Sequence, residues 1–420
     1  MTARAACILA LLLGPQVAAA QPVNKTTGAT TGQLTLARAE ALIRETSATV
    51  EQLRQLRFKR PVAVEVVDPA TARTHFEQDI DDEDRERARH MRDAWVQIGL
   101  IAPETDLVKA RLDQAEKDVA GYYRSGSDTF RLLSHVSERE VRAVMAHELT
   151  HALEDQHFDL LSVQKRATNA DQAVAIRSVI EGSAMVTTLQ IQRRSGGIGK
   201  AKEEAAQASQ ARAQRVKQAP TWLQMQVLMP YTLGFSFLLR GKPWQLLFDG
   251  VRIEDIDKAY AEPPHSTREI LHPEQYWDAA RRASMRQVQL PDLAPVLGKG
   301  WTRAAEGSVG ELGLTLMTGT ELVTGGFQML LPTRWTTPGA AGTSGDYFHH
   351  YVNGEQKLTV MLTRWESVRD ADEFQRTLRG TRRTAFRFGA NLLLMMGDVG
   401  DKGERLAAES VRGIKYWAGE

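Results

Sequence analysis

The segment AHELTHALEDQHFD, residues 146–159, constrains this chain most, because it carries the pattern H-E-x-x-H on a predicted helix. Residues four apart on a helix lie on one face, so His147 and His151 can present two imidazoles to a single metal ion. In this pattern the carboxylate of Glu148 stands beside the water on the metal and can take its proton. The sequence therefore predicts a metal centre with its own general base.

The helix around this pattern has signals of its own. Ser137 and Glu140 form an S-x-x-E capping box that predicts its beginning. Apolar residues then recur at helical spacing through the motif, at Val141, Val144, Met145, Leu149 and Leu153.

A zinc site of this type needs a third protein ligand and one open position. We assign the ligand to Glu181, in the run SVIEGSAM on a second predicted helix from about residue 171 to residue 194. A carboxylate among Val179, Ile180 and Ala184 is costly to bury unless a cation pairs with it. A salt bridge between helices is the alternative role for Glu181, and the same ligands also accept divalent ions other than zinc.

The run HELTHALED resembles the HELTH stretch of thermolysin-type zinc peptidases, the gluzincins, whose third ligand is a glutamate on a later helix. Here Glu181 comes 30 residues after His151, a longer gap, and Met185 stands where those enzymes carry an acidic residue. Further stretches resemble a group of exported bacterial proteins regarded as zinc peptidases. They are GLIAPETDL (99–107), AGYY (120–123), IEGSA (180–184) and STREILHPEQY (266–276).

The resemblance implies one Zn²⁺ ion, a peptide or protein substrate, and a donor that stabilises the oxyanion. The stretch AEPPHSTREILHPEQY offers His265, His272 and Tyr276 for that donor. We favour His272 because it lies in the resembling stretch, with structural capping as the alternative.

Two short strands are predicted directly before the metal helix, at residues 121–124 and 129–133. In the resembled peptidases an edge strand in this position hydrogen-bonds an extended substrate. Tyr122 or Tyr123 could face the site, or be buried with a satisfied hydroxyl. Asp155, one turn after His151, could orient a ligand.

Residues 1–20 read as a signal peptide. Arg4 precedes a short apolar run, and Ala18 to Ala20 form an A-x-A cleavage signal, so we expect export with cleavage after Ala20; a retained short anchor is the alternative. The single cysteine, Cys7, lies inside this signal, so the mature chain needs no disulfide. Residues 21–35 read as a disordered lead-in.

The length, the net charge and the apolar runs of the chain limit its domain organisation and its partners. A chain of 420 residues predicts two domains, here a zincin-like domain at 36–289 and a small α+β domain at 290–420. Loss of residues 1–20 removes Arg4 and takes the formal net charge from +1 to 0, which argues against a nucleic-acid partner. No later segment has the length of uninterrupted apolar sequence that a transmembrane helix needs.

The spacing of apolar and turn residues predicts the remaining helices and strands. Helices are predicted at 36–56, from the acidic stretch 79–86 to Ile98, from Pro103 to Lys117, at 196–219, 369–378 and 402–417. Residues 222–239 read as a buried helix pair interrupted at Pro230 and Gly234. Strands are predicted at 61–68 and 391–396, with a hairpin at 347–352 and 356–365 around Asn353 and Gly354.

The sequence therefore predicts an α+β fold: a mostly helical zincin-like domain with a small sheet, followed by a small α+β domain. The predicted function is an exported zinc metallopeptidase with His147, His151 and Glu181 as ligands. Two alternatives remain open. One is a zincin scaffold that binds without turnover in the cell envelope, and the other is a zinc hydrolase of a non-peptide amide or ester.

Overall fold

The computed structural model describes residues 17–19, 36–134, 136, 138–196, 220–247, 250–284, 286–319, 327–378, 383–397, 402–413 and 415–418. The elements before the metal motif are β1 (Val17–Ala19), α1 (Leu36–Arg54), β2 (Ala63–Val67), α2 (Pro69–Gln78), α3 (Asp82–Ile98), α4 (Leu107–Asp118), β3 (Val119–Tyr123) and β4 (Thr129–Leu133). The predicted lead-in 21–35, Ser137 of the predicted capping box and residues 197–219 of the predicted solvated helix lie outside the described residues.

The middle of the chain is helical. Its elements are α5 (Glu138–Phe158), α6 (Leu160–Gln164), α7 (Ala170–Gly196), α8 (Thr221–Leu238), a 3₁₀ turn (Pro243–Leu247), α9 (Ile253–Ala261), α10 (Thr267–Leu271), α11 (Pro273–Trp277) and α12 (Ala279–Ser284).

The last part alternates strands and short helices. It contains β5 (Arg286–Gln289), α13 (Ala294–Leu297), β6 (Thr302–Gly307), α14 (Gly310–Met317), two 3₁₀ turns (Phe327–Leu330 and Pro332–Arg334), α15 (Pro338–Ala341), β7 (Thr343–Asn353), β8 (Gln356–Trp365), α16 (Val368–Thr377), β9 (Arg383–Phe388), β10 (Asn391–Gly397), α17 (Gly403–Gly413) and β11 (Lys415–Ala418). A mostly helical part with small sheets followed by a strand-rich part confirms the predicted α+β class.

A four-stranded sheet in the order β1-β3-β4-β2 packs against α5. β3 and β4 form the predicted antiparallel hairpin, and β2 pairs with β4 in parallel. Phe130 and Leu132 of the hairpin share a buried apolar cluster with Val144 and Met145 of α5. The hydrophobic face of this sheet therefore holds β3 beside the H-E-x-x-H helix.

The second edge of β3 is covered by β1. Val17 lies opposite Tyr122 and Ala18 opposite Gly121 in an antiparallel register. The strand expected to be an open edge is thus extended by residues from the predicted signal peptide.

Helix α8 corrects the expectation of a helix pair. It continues through Pro230 and is buried everywhere except at Thr221 and Thr232. Proline removes one backbone donor from a helix but does not force it to end when surrounding packing is dense. Gly234 marks a contact rather than a break, since a Cβ on it would lie 1.9 Å from the carbonyl oxygen of Ser178 in α7. A Cβ on Gly182 of α7 would lie 2.4 Å from the carbonyl carbon of Gly234, so the two helices touch backbone to backbone.

Three other boundaries differ from the predictions. α4 begins at Leu107 rather than at Pro103, because the Asp106 carboxylate accepts the amide hydrogen of Lys109 and starts the helix there. The predicted helix 402–417 ends at Gly413, and Lys415–Ala418 instead pairs with β5. Residues 261–276, expected to form a polar loop and the start of a helix, contain the helix α10, but its residues are all buried. The other predicted helices and strands that fall on described residues are confirmed to within a few residues.

The C-terminal sheet has the order β6-β7-β8-β10-β9 and is antiparallel. The predicted hairpin turn is confirmed, with Gly354 at φ 59°, a left-handed conformation that glycine adopts without strain. Phe348 and Trp365 of this sheet belong to the same buried cluster as Trp95, Ile180 and Trp222. The apolar core therefore runs without interruption across the predicted domain boundary at residue 290, and the division itself stays a prediction.

Buried carboxyl groups lie where the helical part meets this sheet. Asp171, at the beginning of α7, accepts hydrogen bonds from the amide and hydroxyl of Thr267. Asp346 of β7 accepts from the amides of Val309 and Gly310. Burial raises the pKa of Asp171 to about 7 and that of Asp346 to about 6.

The backbone contact between α7 and α8 predicts that Gly234→Ala destabilises the protein. The new methyl group would force the helices apart, at about 1–3 kcal/mol, which outweighs the ~1 kcal/mol that alanine gains in a helix. Urea unfolding would measure the change. Gly307→Ala is the control, because its nearest neighbour, Phe348, would lie at 3.4 Å. Equal stability of the two variants would contradict the close contact.

The raised pKa of Asp171 predicts a pH dependence of stability. The folded state binds this proton near pH 7 and the unfolded state near pH 4, so the free energy of unfolding should rise as pH falls from 8 to 5.5. The gain is on the order of 1.4 kcal/mol for each pH unit in the window. In urea unfolding at pH 8 and at pH 5.5, Asp171→Asn should show a smaller rise in the free energy of unfolding than the wild type. Asp68→Asn, which changes an exposed carboxylate, should show the wild-type rise. A wild type and an Asp171→Asn variant with parallel pH profiles would refute the assignment.

Candidate metal centre

Three buried side chains from α5 and α7 converge on one point. The Nε2 atoms of His147 and His151 are 3.0 Å apart, and Glu181 Oε2 lies 3.0 Å from the first and 3.3 Å from the second. Within the described part of the chain, they are the one group of at least three His, Cys, Asp or Glu side chains whose ligand atoms could hold a metal ion. The structure thus brings together the three residues predicted as ligands.

The spacing of these atoms fits a tetrahedral ion. Zinc bonds to nitrogen and oxygen of about 2.0–2.1 Å place two ligand atoms about 3.3 Å apart in a tetrahedron. Two imidazole nitrogens and one carboxylate oxygen at 3.0–3.3 Å need almost no movement to reach that arrangement. The donor set is also one that zinc accepts, so the residues present fit the ion.

Burial and mutual contact set the charges of the cluster. Burial alone would raise the pKa of Glu181, but its bonds to His147 and His151 hold the pKa well below the ordinary value. Burial lowers the pKa of His147, whereas the carboxylate of Glu181 overcomes burial and raises the pKa of His151. These directions favour a carboxylate anion at Glu181 and a neutral imidazole at His147, whereas His151 favours its protonated form. A metal ion requires both imidazoles to be neutral, so its binding would displace any proton on His151.

Glu148 is placed by β3. The amide of Tyr123 donates a hydrogen bond of 2.7 Å to Oε2 of Glu148, and the glutamate side chain has no solvent exposure. The same strand fixes the helix elsewhere, since the Tyr123 hydroxyl donates to Asp155 at 2.9 Å. The predicted general base is thus oriented by the hairpin that packs on its helix.

Asp155 has contacts that differ from the predicted orienting role. Its carboxylate accepts from the Tyr123 hydroxyl and from the amides of Gly126 and Leu160, so it fastens the hairpin turn to the end of α5. Tyr122 also points away from the centre, with its hydroxyl 2.7 Å from Nδ1 of His75.

A second buried network supports the other side of α5. The Glu154 carboxylate accepts hydrogen bonds from Nε of Arg54 at 2.6 Å, from the Tyr260 hydroxyl at 2.6 Å and from the Ser183 hydroxyl at 2.5 Å. Ser183 lies on α7, two residues after Glu181. The network therefore ties α1, α5, α7 and α9 together and fixes the relative position of the two helices that carry the cluster.

Sequence reasoning missed two residues that contact the cluster. Arg177, one turn before Glu181 on α7, places Nε 3.2 Å from Glu181 Oε1. Tyr231 of α8 stacks on the ring of His147, with centroids 5.8 Å apart and planes 25° apart. The i, i+4 spacing of Arg177 and Glu181 was a usable signal, whereas nothing in the sequence relates Tyr231 to the motif.

The candidates for the oxyanion donor lie apart from the cluster. Nε2 of His272 is 3.0 Å from Glu311, at the junction with the C-terminal sheet. The Tyr276 hydroxyl donates to the carbonyl oxygen of Glu262 at 2.7 Å. The backbone amide of His265 donates to Glu269. None of these bonds reaches the three converging side chains, and the role of His272 stays a prediction.

Comparison with known proteins supports the chemistry of this centre. Residues 129–223 match Peptidase family M48. The matched segment contains α5 and α7, and therefore all three residues of the cluster. M48 peptidases use zinc, an ion that the His-His-Glu cluster of this chain fits. Residues 297–393 match a domain of unknown function, DUF8575. Searches of the curated proteins and of the solved structures returned no match.

The geometry predicts that Glu181→Gln weakens zinc binding by more than about 100-fold, because even loss of an outer partner typically costs 10–100-fold. The glutamine side chain has nearly the shape of glutamate, so it keeps the packing between the helices, but it supplies no negative charge to the metal ion. Metal content after dialysis and competition with a chromophoric chelator would measure the loss. Glu311→Gln is the matched control, since Glu311 is equally buried and also contacts a histidine. Equal zinc affinity in both variants would exclude Glu181 as a ligand.

Proposed function

We propose that this chain is an exported zinc metallopeptidase of the gluzincin type that hydrolyses peptide bonds in extended chains. The observation that carries the proposal is the convergence of His147, His151 and Glu181 within 4.8 Å, with Glu148 on the same helix. The gluzincin assignment is supported by the position of Glu181 on a helix later than the motif. Export is supported by the signal-like composition of residues 1–20.

Each of the chain's own groups has a defined task in this reaction. Zinc, when bound, acts as a Lewis acid and lowers the pKa of the attacking water. Glu148 accepts the proton of that water and returns it to the leaving amine, while the amide of Tyr123 keeps the carboxylate in place. Burial of the cluster strengthens these interactions, because few water dipoles remain to screen them.

The substrate is proposed to lie along β3. This edge pairs with Val17–Ala19 in antiparallel register, so its backbone groups can accept an extended chain. Cleavage after Ala20 would remove that segment and leave the edge for substrate. Because the amide of Tyr123, at the end of β3, bonds Glu148, a chain bound along β3 would lie next to that carboxylate.

Among the helices that the structure describes, none combines the length and apolar character needed to cross a membrane. This includes α8, the most apolar long helix, whose burial is explained by its packing on α7.

The proposal predicts that Glu148→Gln abolishes hydrolysis of a quenched fluorescent peptide library while one zinc per chain is retained. General-base catalysis typically contributes about 10²–10⁴ in rate, so a loss at or above that range is expected. Glu45→Gln is the control, because Glu45 lies on α1 and forms an exposed ion pair with Arg142 of α5. A wild type that holds zinc yet cleaves no peptide would instead favour the binding scaffold or a non-peptide hydrolase.

A further inference from the structure

Tyr231 combines two contacts that no other described aromatic side chain makes with the cluster. Its ring stacks on His147, and its hydroxyl hydrogen-bonds Arg177, which in turn contacts Glu181. Through the guanidinium group of Arg177, the Tyr231 hydroxyl is therefore linked to Glu181, one of the predicted ligands. The residue is 5% exposed, and Arg177 is 7% exposed, so both groups act in a dry environment.

The chemistry of the Arg177 contact fixes the direction of the Tyr231 hydroxyl. Arginine is a donor only, so the phenolic oxygen must accept in this bond. A hydroxyl that accepts from a cation keeps its own hydrogen for another acceptor. The positive charge also polarises the O–H bond and strengthens its donation.

A second arginine adds to this field. Arg111 of α4 lies near enough for its charge to act on both Tyr231 and Arg177. Its buried position and the neighbouring cation lower the pKa of Arg111 to about 9, which leaves it charged at neutral pH. Two guanidinium groups around one phenol make this side of the cluster favourable for negative charge.

We propose that Tyr231 is the catalytic donor that stabilises the oxyanion of the reacting carbonyl, and that Arg177 positions its hydroxyl. This inference rests on the proposed peptidase function and gives the oxyanion role to a residue in contact with the cluster. Tyr231 donates a hydrogen bond and keeps its proton, so no bond to it is made or broken. Arg177 also holds Oε1 of Glu181, which leaves Oε2 directed at the two histidines.

The direct test is Tyr231→Phe, which keeps the ring on His147 and removes only the hydroxyl. Loss of one preorganised oxyanion donor lowers kcat about 10²–10³-fold, and KM should change far less. Binding of a phosphinic peptide to the zinc-loaded protein, measured by calorimetry, should weaken by a similar factor because its tetrahedral anion mimics the transition state. Zinc affinity should stay at the wild-type value.

Tyr351→Phe is the matched control. Tyr351 is also buried, and its hydroxyl accepts from the amide of Leu293 in the C-terminal part of the chain. It should lose stability but keep kcat and phosphinic peptide binding. A Tyr231→Phe variant with kcat within about 3-fold of wild type, or one that loses zinc in parallel with activity, would overturn the assignment.

The positioning role of Arg177 has its own test. Arg177→Lys should lower kcat in the wild-type background and have little further effect when combined with Tyr231→Phe. Additive losses would show that Arg177 acts through Glu181 instead. If the wild type neither cleaves the peptide library nor binds the phosphinic peptide, the peptidase proposal itself fails. If the wild type cleaves the library and binds the phosphinic peptide, and Tyr231→Phe has the same kcat and the same affinity, the peptidase proposal stands. In that case only the oxyanion role of Tyr231 fails.

Discussion

The structure around the candidate metal centre depends on one buried carboxylate. Glu181 has no solvent exposure, and a charge in that position is stable only when surrounding groups compensate it. Two histidines approach one oxygen and Arg177 approaches the other. Together with the Glu154 network, the carboxylate therefore holds α5 and α7 in their relative positions.

The H-E-x-x-H helix and the residues at its centre could be predicted from sequence because their information is local. His147 and His151 are one turn apart, so helical geometry alone places them together. Glu181 could be proposed because a charged residue in an apolar helix demands a partner. Most helices and strands were also predicted, since their apolar periodicity and turn residues lie within a few positions of each other.

What the sequence did not predict depends on contacts between distant segments. Tyr231 reaches His147 from a helix about 80 residues later, and no spacing rule connects them. The continuity of α8 through Pro230 depends on tertiary packing that overrides the local preference of proline. The pairing of Lys415–Ala418 with β5 likewise links residues that are far apart along the chain. Short-range signals cannot contain such information.

The glycine contact between α7 and α8 has a mechanical consequence. Gly182 follows Glu181 directly, and Gly234 lies three residues after Tyr231, so the contact adjoins both side chains. With no side chain between the backbones, neither helix can slide or tilt much without a collision, and interiors packed so densely resist deformation. The helix pair therefore keeps Glu181 and Tyr231 at a constant separation, whatever occupies the space beside them.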